Sequence, residues 1–341
     1  MKYFTVLLAL AMVFAWFGAA FGQATEGNDL YGYYWQSTAS SKDTLGSVTY
    51  EWIDITATGK KAPELGDDNF FHLDQSDMPF PFKYYWNTYQ DLYIGTNGYI
   101  MFGRGMNVAS GQDGFPTFPT QGPITTANNY LGGMLCDLTF SDGEGNPVPD
   151  AALWYGVTTV NGKQALVISF VDVPFWTSEA DTPDQYRGKN TFQFVLFDDY
   201  SIKINYKAQE GEVATAYQPS PQRPNVKFLT SGMENNTGKD GSGWTDNTYP
   251  KAGSSIEVWY PESSTYEFID AEASWVFNAD NYGSIIWATG DPIELKMAVR
   301  NTGTVDLDTI SVQVDDYSYN NIAEHQTIQR EMIGVGKLKA G

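Results

Sequence analysis

Few side chains in this chain of 341 residues could carry out catalysis, and their spacing limits the chemistry open to them. The two histidines, His72 and His325, lie far apart, so a Ser-His-Asp or Cys-His site would depend on His72 alone. The single cysteine, Cys136, sits in an apolar run, which favours a small buried side chain over a zinc ligand or a nucleophile. These residues predict a protein that is not an enzyme.

Glycoside hydrolysis needs only two carboxylates, and the segment Glu51-Trp52-Ile53-Asp54 places an acidic pair beside an aromatic ring. In an ideal strand, however, the three-residue spacing puts Glu51 and Asp54 on opposite faces. Two solvated charges are therefore the simpler interpretation of this pair.

One acidic loop could supply oxygen ligands to a calcium ion, because oxygen atoms on a flexible loop suit a hard cation. Its candidate ligands are Asp142, Glu144, Asn146 and Asp150. Pro147 stands where an EF-hand loop requires glycine, so that loop type is excluded, and a polar turn is the alternative. Calcium is the one cofactor that we expect this chain could take.

Two aromatic clusters, at 31–35 and 84–86, contain more rings than one buried face can hold. The rings that we single out as ligand-binding candidates are Tyr33, Trp35, Tyr85 and Trp86. Stacking of exposed rings on a sugar is the functional interpretation, and packing between a sheet and the N-terminal segment is the alternative. The predicted partner is a carbohydrate or a surface protein.

The charge and the N-terminus bear on where the protein works. A formal net charge of −21 repels nucleic acid and anionic membrane surfaces, so we exclude both as partners. Lys2 followed by an apolar run to Phe21 predicts a secretory signal peptide over residues 1–22, with cleavage after Gly22 or, alternatively, after Ala24. A membrane anchor is the other interpretation of this run. We expect a mature chain that does not span the membrane and is secreted or held at the cell surface.

β-Strands are the elements predicted to position these residues. Aromatic residues at 15%, charged residues at 18% and 33 glycines indicate strands joined by tight turns. Alternation over Asn190–Tyr206 predicts a hairpin with one apolar face, and Asn97-Gly98 between apolar runs predicts a second hairpin. Val48–Ile55 also alternates and is predicted to be a strand. An apolar hairpin face needs a second layer, so the expected fold is an all-β, antiparallel sandwich.

A change in composition at Pro261–Ser264 predicts a boundary between a module of residues 23–261 and a smaller module of residues 262–341. Alternation near Ala271, Ile293 and Thr309 predicts an immunoglobulin-like β-sandwich in the second module. This segment is shorter than the about 100 residues that such a sandwich takes. We therefore expect the second module to be incomplete and the chain to be part of a longer protein.

Four motifs of the first module carry a resemblance to a known family. They are Asn97-Gly98-Tyr99, Asp137-Leu138, Thr191-Phe192-Gln193, and Gly232-Met233-Glu234-Asn235 with Thr237-Gly238. In this order they resemble a β-sandwich module of secreted bacterial surface proteins, and the Thr-Phe-Gln element is similar to the nidogen extracellular domain. Cys136 departs from that pattern, which more often has an acidic or aromatic residue there. The resemblance implies recognition or adhesion without catalysis.

The second module resembles a different family. Asp270-Ala271-Glu272, Asp291–Leu295 and Val299–Thr304 look like immunoglobulin-like adhesion modules of the CARDB type, which are spacers without catalytic residues. Together the two resemblances predict a non-catalytic, exported recognition or adhesion module followed by a spacer. The first alternative is the carbohydrate- or substrate-binding accessory region of a secreted hydrolase whose catalytic domain is absent from this chain, and a third interpretation is a stand-alone, calcium-dependent sugar binder.

Overall fold

The computed structural model of the protein describes residues 24–40, 46–109, 114–121, 127–142, 144–176, 186–278, 295–318 and 321–340. The predicted leader lies outside these ranges. Within them, the named elements are β-strands and one 3₁₀ turn at Thr215–Tyr217, and no helix is long and apolar enough to cross a membrane. All paired strands are antiparallel, so the predicted all-β fold class is confirmed.

The strands are β1 (Glu26–Asn28), β2 (Tyr34–Ser37), β3 (Lys60–Lys61), β4 (Phe70–Leu73), β5 (Phe82–Tyr84), β6 (Asn87–Tyr89), β7 (Leu92–Gly95), β8 (Tyr99–Phe102), β9 (Tyr130–Cys136), β10 (Ala152–Val160), β11 (Lys163–Trp176), β12 (Tyr186–Phe197), β13 (Ile202–Gln209), β14 (Leu229–Glu234), β15 (Gly241–Asp246), β16 (Ser254–Trp259), β17 (Ala271–Asn278), β18 (Leu295–Asn301), β19 (Leu307–Ser318) and β20 (Asn321–Leu338).

Two sheets form a sandwich. The first sheet has eight strands in the order β1-β2-β16-β13-β12-β11-β10-β3, and the second has six in the order β15-β14-β9-β8-β7-β4. Fully buried rings fill the space between them, and Phe170 stacks on Phe192 with 4.6 Å between ring centroids. Phe194 reaches the opposite sheet, where a Cβ added to Gly133 on β9 would lie 2.6 Å from its ring. Burial of these rings is the main stabilising term of the module.

Both predicted hairpins of the first module are confirmed. β12 pairs with β13 across the turn that follows Phe197, with Leu196 opposite Ile202. β7 pairs with β8 across the Asn97-Gly98 turn, in which Gly98 has a φ of 80°. The alternation of apolar and polar residues predicted these strands correctly because each strand buries one face against the other sheet.

The segment Val48–Ile55 does not form the predicted strand. It crosses the outer face of the eight-stranded sheet, where Ile55 packs against Val167 and Val195. Its backbone bonds to a side chain instead of a neighbouring strand: Ile53 N–H donates to Gln193 Oε1 at 3.0 Å, and Gln193 Nε2 donates to the Ile53 carbonyl at 2.9 Å. The prediction that this segment buries one apolar face was correct. That face packs on the surface of the sheet, however, and the segment does not pair with a strand at the sheet edge.

Strand β15 was not predicted, because its glycines and polar residues show no apolar alternation. Strands β14 and β15 both approach Phe118, which lies between β8 and β9: a Cβ at Gly243 on β15 would lie 2.8 Å from the Phe118 carbonyl oxygen, and one at Gly232 on β14 would lie 2.6 Å from the Phe118 Cβ. Small residues are required here because Phe118 packs directly on the ladder.

Beyond the sandwich, the described residues form two antiparallel hairpins, β17–β18 and β19–β20. They meet the sandwich at Trp86, whose Nε1 donates to the Thr302 carbonyl at 2.7 Å and whose ring stacks on Tyr266. Residues 262–265 between the two parts are exposed and belong to no strand. The boundary at residue 261, the immunoglobulin-like assignment and the CARDB resemblance stay predictions.

The Gly98 turn gives a test of the sandwich. A Cβ at Gly98 would fall on the Met134 carbonyl oxygen of β9, so we expect Gly98→Ala to lower the free energy of unfolding by about 3 kcal/mol in urea titrations. Gly162 is the matched control, since its φ is 84° but nothing lies within 4 Å of its added Cβ. Gly162→Ala should cost only about 1 kcal/mol. Equal losses in the two variants would contradict the packing that we describe for Gly98.

Candidate functional site

The polar residues of the sequence motifs are buried and hold loops onto the sandwich. Asn97 is fully buried, and its Nδ2 donates to Asp68 Oδ1 at 2.7 Å and to the Val108 carbonyl at 3.0 Å. Its Oδ1 accepts the backbone N–H of Leu138 at 3.0 Å. One amide therefore ties the β7–β8 turn to three other segments, which makes Asn97 an organiser of the fold.

Glu234 has a comparable role on β14. Its side chain is fully buried, and its Oε2 accepts the backbone N–H of Thr120 at 2.6 Å. Burial raises the pKa of Glu234 to about 8, although the hydrogen bonds from Thr120 oppose that rise. The next residue, Asn235, caps a turn by accepting the N–H and the hydroxyl of Thr237. The motif's conspicuous acid is thus a structural anchor.

An acidic cluster lies next to the Asn97 amide. Carboxylate oxygens of Asp67, Asp68 and Asp137 lie within 4.8 Å of one another, and Asp67 Oδ1 is buried without a hydrogen-bond partner. Burial first, and repulsion between neighbouring carboxylates second, raise the pKa of Asp67 to about 6 and that of Asp137 to about 7. Among the described residues, these three carboxylates are the group that could hold a hard cation such as Ca²⁺.

Sequence reasoning missed this cluster. Asp67 and Asp68 belong to the loop before β4, whereas Asp137 follows β9, so no spacing in the sequence joins them. The isolated bridge between Asp67 and Thr139 brings the two segments together. Two signals were present in the sequence: the adjacent acids Asp67-Asp68, a weaker calcium candidate, and the Asp137-Leu138 motif, which we interpreted only as part of a resemblance.

In the predicted calcium loop, Asp142 is engaged by its own turn. Its Oδ1 accepts the backbone N–H groups of Glu144 at 2.9 Å and Asn146 at 2.8 Å, and its Oδ2 accepts Asn146 Nδ2 at 3.0 Å. Asp150 faces a different partner, because its Oδ2 lies 3.4 Å from Lys189 Nζ. The structure thus brings Asp142 and Asn146 together as a polar turn, and calcium binding by this loop stays a prediction.

The four aromatic candidates are buried, which agrees with the packing interpretation of these rings and not with exposed rings that stack on a sugar. Tyr33, Tyr85 and Trp86 pack in one cluster with Tyr31, where neighbouring ring centroids lie 5.0 to 6.1 Å apart. The two aromatic segments contain more rings than one sheet face can bury. The additional rings form a cluster between the N-terminal segment, the β5–β6 hairpin and the linker. Trp35 lies elsewhere, at the floor of a cleft.

This cleft has a volume of about 550 Å³ and opens between the two sheets, where β2, β13 and β16 face the edge strand β15. Trp35, Tyr206 and Trp244 contribute buried rings to its wall, while Tyr249 is half-buried and Lys251 is exposed at the rim. Hydroxyl side chains provide much of the remaining lining, namely Thr25, Ser37, Thr38, Thr245, Thr248, Ser254 and Ser255. The cleft is within the size range of small-ligand sites.

The residues considered for catalysis have local roles. His72 Nε2 lies 2.9 Å from Asp91 Oδ2, and the imidazole stacks on the Tyr93 ring at 4.4 Å on an exposed part of the surface. Asp54 Oδ1 accepts the backbone N–H and the hydroxyl of Thr56, which lowers its pKa. These contacts explain both side chains as parts of turns and surface pairs.

Comparison with known protein families assigns the module that carries these features. The model of the family described as NIDO related matches residues 44–254, more than half of the chain. The chain belongs to the NIDO-related family. No curated protein and no solved structure matches it.

The NIDO-related match covers the motif anchors and the acidic cluster, but it covers only part of the sandwich. Strands β1 and β2 precede the matched range, and all of β16 after its first residue follows it. The cleft lies at this junction, because Tyr206, Trp244 and Tyr249 lie inside the range whereas Trp35 and Ile256 lie outside it. Segments beyond the NIDO-related match therefore complete the candidate binding site.

The raised pKa values predict that stability falls at alkaline pH. For Glu234 the pKa is about 8 in the folded chain against 4.5 ordinarily, so its contribution is complete below about pH 4.5 and is lost as the pH rises through 8. Asp67 and Asp137 act in the same direction at lower pH. We expect the free energy of unfolding to fall by on the order of 2 kcal/mol between about pH 5 and pH 8.5.

Glu234→Gln should remove much of this pH dependence, because an amide preserves the acceptor for Thr120 and does not ionise in this range. Glu262→Gln, at an exposed position, is the matched control and should leave the profile unchanged. Urea titrations across the pH range measure both. A wild-type stability that is flat or rises from pH 5 to 8.5 would show that Glu234 is not buried as described.

A calcium titration separates the acidic cluster from the predicted loop. If the cluster binds Ca²⁺, millimolar calcium should raise the melting temperature by several degrees relative to EDTA, since a ligand of the folded state stabilises it. Asp137→Asn should abolish the shift, and Asp142→Ala should leave it intact. The opposite pattern would place calcium in the Asp142 loop, and identical wild-type curves would argue against both sites.

Proposed function

We propose that this protein is a non-catalytic extracellular recognition module with a C-terminal spacer, and that the cleft between the two sheets binds its ligand. Membership of the NIDO-related family supports an adhesion-type role outside the cell. The cleft is the observation that carries the proposal, because it combines a concave shape and a volume of about 550 Å³ with rigid aromatic walls. The proposed location, secreted or at the cell surface, follows from this role.

A carbohydrate is the class of ligand that the described lining favours. Trp35, Tyr206 and Trp244 give the floor apolar ring edges, against which the C–H groups of a sugar can pack. The hydroxyl groups around the rim can donate and accept hydrogen bonds, as sugar hydroxyls require. Tyr249 is the ring best placed at the mouth, since its side chain is only half-buried.

Binding, and not hydrolysis, is the activity that this lining supports. A glycosidase places two carboxylates on either side of the bond that it breaks. The described residues around the cleft are instead rings, hydroxyl side chains, small residues, Pro250, Ile256 and Lys251. Those groups orient and desolvate a ligand, but they supply no acid and base pair for its cleavage.

Titration with cellotriose, maltotriose and chitotriose tests the proposal. We expect at least one of these neutral oligosaccharides to quench or shift the tryptophan fluorescence, because Trp35 and Trp244 line the cleft. Thr248→Arg should place a long side chain at the mouth and weaken binding by about tenfold, or about 1.4 kcal/mol. Isothermal titration calorimetry gives the dissociation constants.

Thr159→Arg is the matched control, because Thr159 is exposed on β10 and does not line the cleft. It should bind like the wild type and unfold at the same urea concentration, as surface substitutions usually do. Equal weakening by both arginines, or no binding of any of the three sugars, would contradict the cleft as a carbohydrate site.

A further inference from the structure

The N-terminal segment makes a tight loop, residues 29–33, whose four backbone N–H groups from Leu30 to Tyr33 are all held by two carboxylates. Leu30 and Tyr31 donate to the two oxygens of Asp240 at 2.9 and 2.8 Å. Gly32 and Tyr33 donate to Asp29 Oδ1 at 2.8 and 2.9 Å. The loop conformation therefore depends on an acid of its own and on one from the segment before β15.

Both acids are buried: Asp29 is 6% exposed and Asp240 is 3% exposed. The titratable groups packed around them are phenols from the loop itself, from the β5–β6 hairpin and from the linker, namely Tyr31, Tyr33, Tyr84, Tyr85 and Tyr266. Of the lysines on these segments, Lys83 lies over the ring of Tyr260, and Lys239 is exposed. Two charges on such a buried acid pair would repel each other strongly.

The hydrogen bonds distinguish the two acids. Asp240 uses both oxygens as acceptors, which suits a carboxylate. Asp29 accepts the two amides on Oδ1 alone, while its Oδ2 and the hydroxyl of Tyr85 are buried with no other partner; the contribution of Tyr85 lowers the pKa of Asp29 but is smaller than that of burial. A proton on Asp29 Oδ2 would remove one charge and give that oxygen a hydrogen to donate. Burial first, and Asp240 second, raise the pKa of Asp29 to about 7.

The loop is attached to the linker that leads to the C-terminal hairpins. The hydroxyls of Tyr31 and Tyr260 lie 2.8 Å apart, and both donate to the Tyr85 carbonyl. A Cβ on Gly32 would lie 3.2 Å from Pro261. Trp86, beside Tyr85, reaches the Thr302 carbonyl. The conformation of the loop is thus coupled through contacts to the joint between the two parts of the chain.

We propose that Asp29 and Asp240 form a proton-dependent latch, in which one proton on Asp29 keeps the 29–33 loop closed on the linker, and loss of that proton releases both. The folded chain binds this proton more tightly than the unfolded chain. The latch is therefore fully closed at acidic pH and opens as the pH rises through about 7. Opening lets water reach the two charges and loosens the joint at Trp86.

Hydrogen exchange on the full chain, read by mass spectrometry, tests the latch. After correction for the intrinsic effect of pH on exchange, protection of amides 30–33 should fall about tenfold between about pH 6 and pH 8.5, because opening becomes easier when the proton is lost. Amides 260–268 of the linker should follow. The central strand residues Phe192–Phe197 serve as the internal reference and should keep their protection.

Two variants should respond in opposite ways. Asp29→Asn keeps the Oδ1 acceptor and adds a permanent donor, so the loop should stay protected and independent of pH. Asp240→Asn leaves one acceptor for two amides, so protection should be low at every pH. Asp137→Asn, at another acid whose pKa is raised by burial but which lies in the cluster with Asp67 and Asp68, should leave the wild-type pH response of residues 30–33 intact.

Three results would overturn the latch. They are wild-type protection that does not change with pH, Asp29→Asn that responds to pH like the wild type, and millimolar calcium restoring protection at pH 8.5. The third result would mean that a cation and not a proton neutralises the pair. If Asp240→Asn does not fold, the comparison of Asp29→Asn with the wild type decides alone.

Discussion

The amide of Gln193 is the interaction on which much of the first module depends. It sits in a row of register partners that crosses four neighbouring strands, from Ser169 through Gln193 and Asn205 to Ser255. Ser255 donates to Asn205 at 2.6 Å, Asn205 donates to Gln193 at 2.9 Å, and Gln193 donates to Ser169 at 3.2 Å. The same amide satisfies both backbone groups of Ile53. A segment can therefore lie on the outer face of the sheet without burying unpaired polar groups.

The motif residues follow the same logic. Asn97, Gln193 and Glu234 are fully buried. Each of them makes hydrogen bonds to a loop backbone that would otherwise need water as its partner. Substitution by an apolar residue would leave the N–H groups of Leu138, Ile53 and Thr120 unpaired inside the protein, which costs more than a surface hydrogen bond contributes. This explains why these polar types stand in the module although the proposed binding cleft lies elsewhere, at segments that extend outside the NIDO-related match.

Alternation in the sequence was sufficient to predict the strands that bury one face, such as β7, β8, β12 and β13. It was insufficient where a strand is built from glycine, as in β15, or where an alternating segment such as 48–55 packs on a sheet without joining it. The cleft could not be predicted, because Trp35 and Trp244 meet only when two edge regions come together. The acidic cluster could not be predicted either, since Asp67 and Asp137 become neighbours through one isolated bridge. Trp35 was named as a ligand-binding candidate on the interpretation that its ring is exposed. In the structure the ring is buried and lines the cleft from below.

The order of strands at one edge of the large sheet has a mechanical consequence. Residue 26 of β1 pairs with residue 36 of β2, while Tyr34 at the start of β2 pairs with Trp259 at the end of β16. Strands β1 and β16 therefore run in the same direction on either side of β2. Tension applied between residue 24 and residue 260 would act along these strands, whereas their hydrogen bonds lie perpendicular to them. The bonds would share the load in shear and not open one after another, a geometry suited to a chain that must hold while it is pulled.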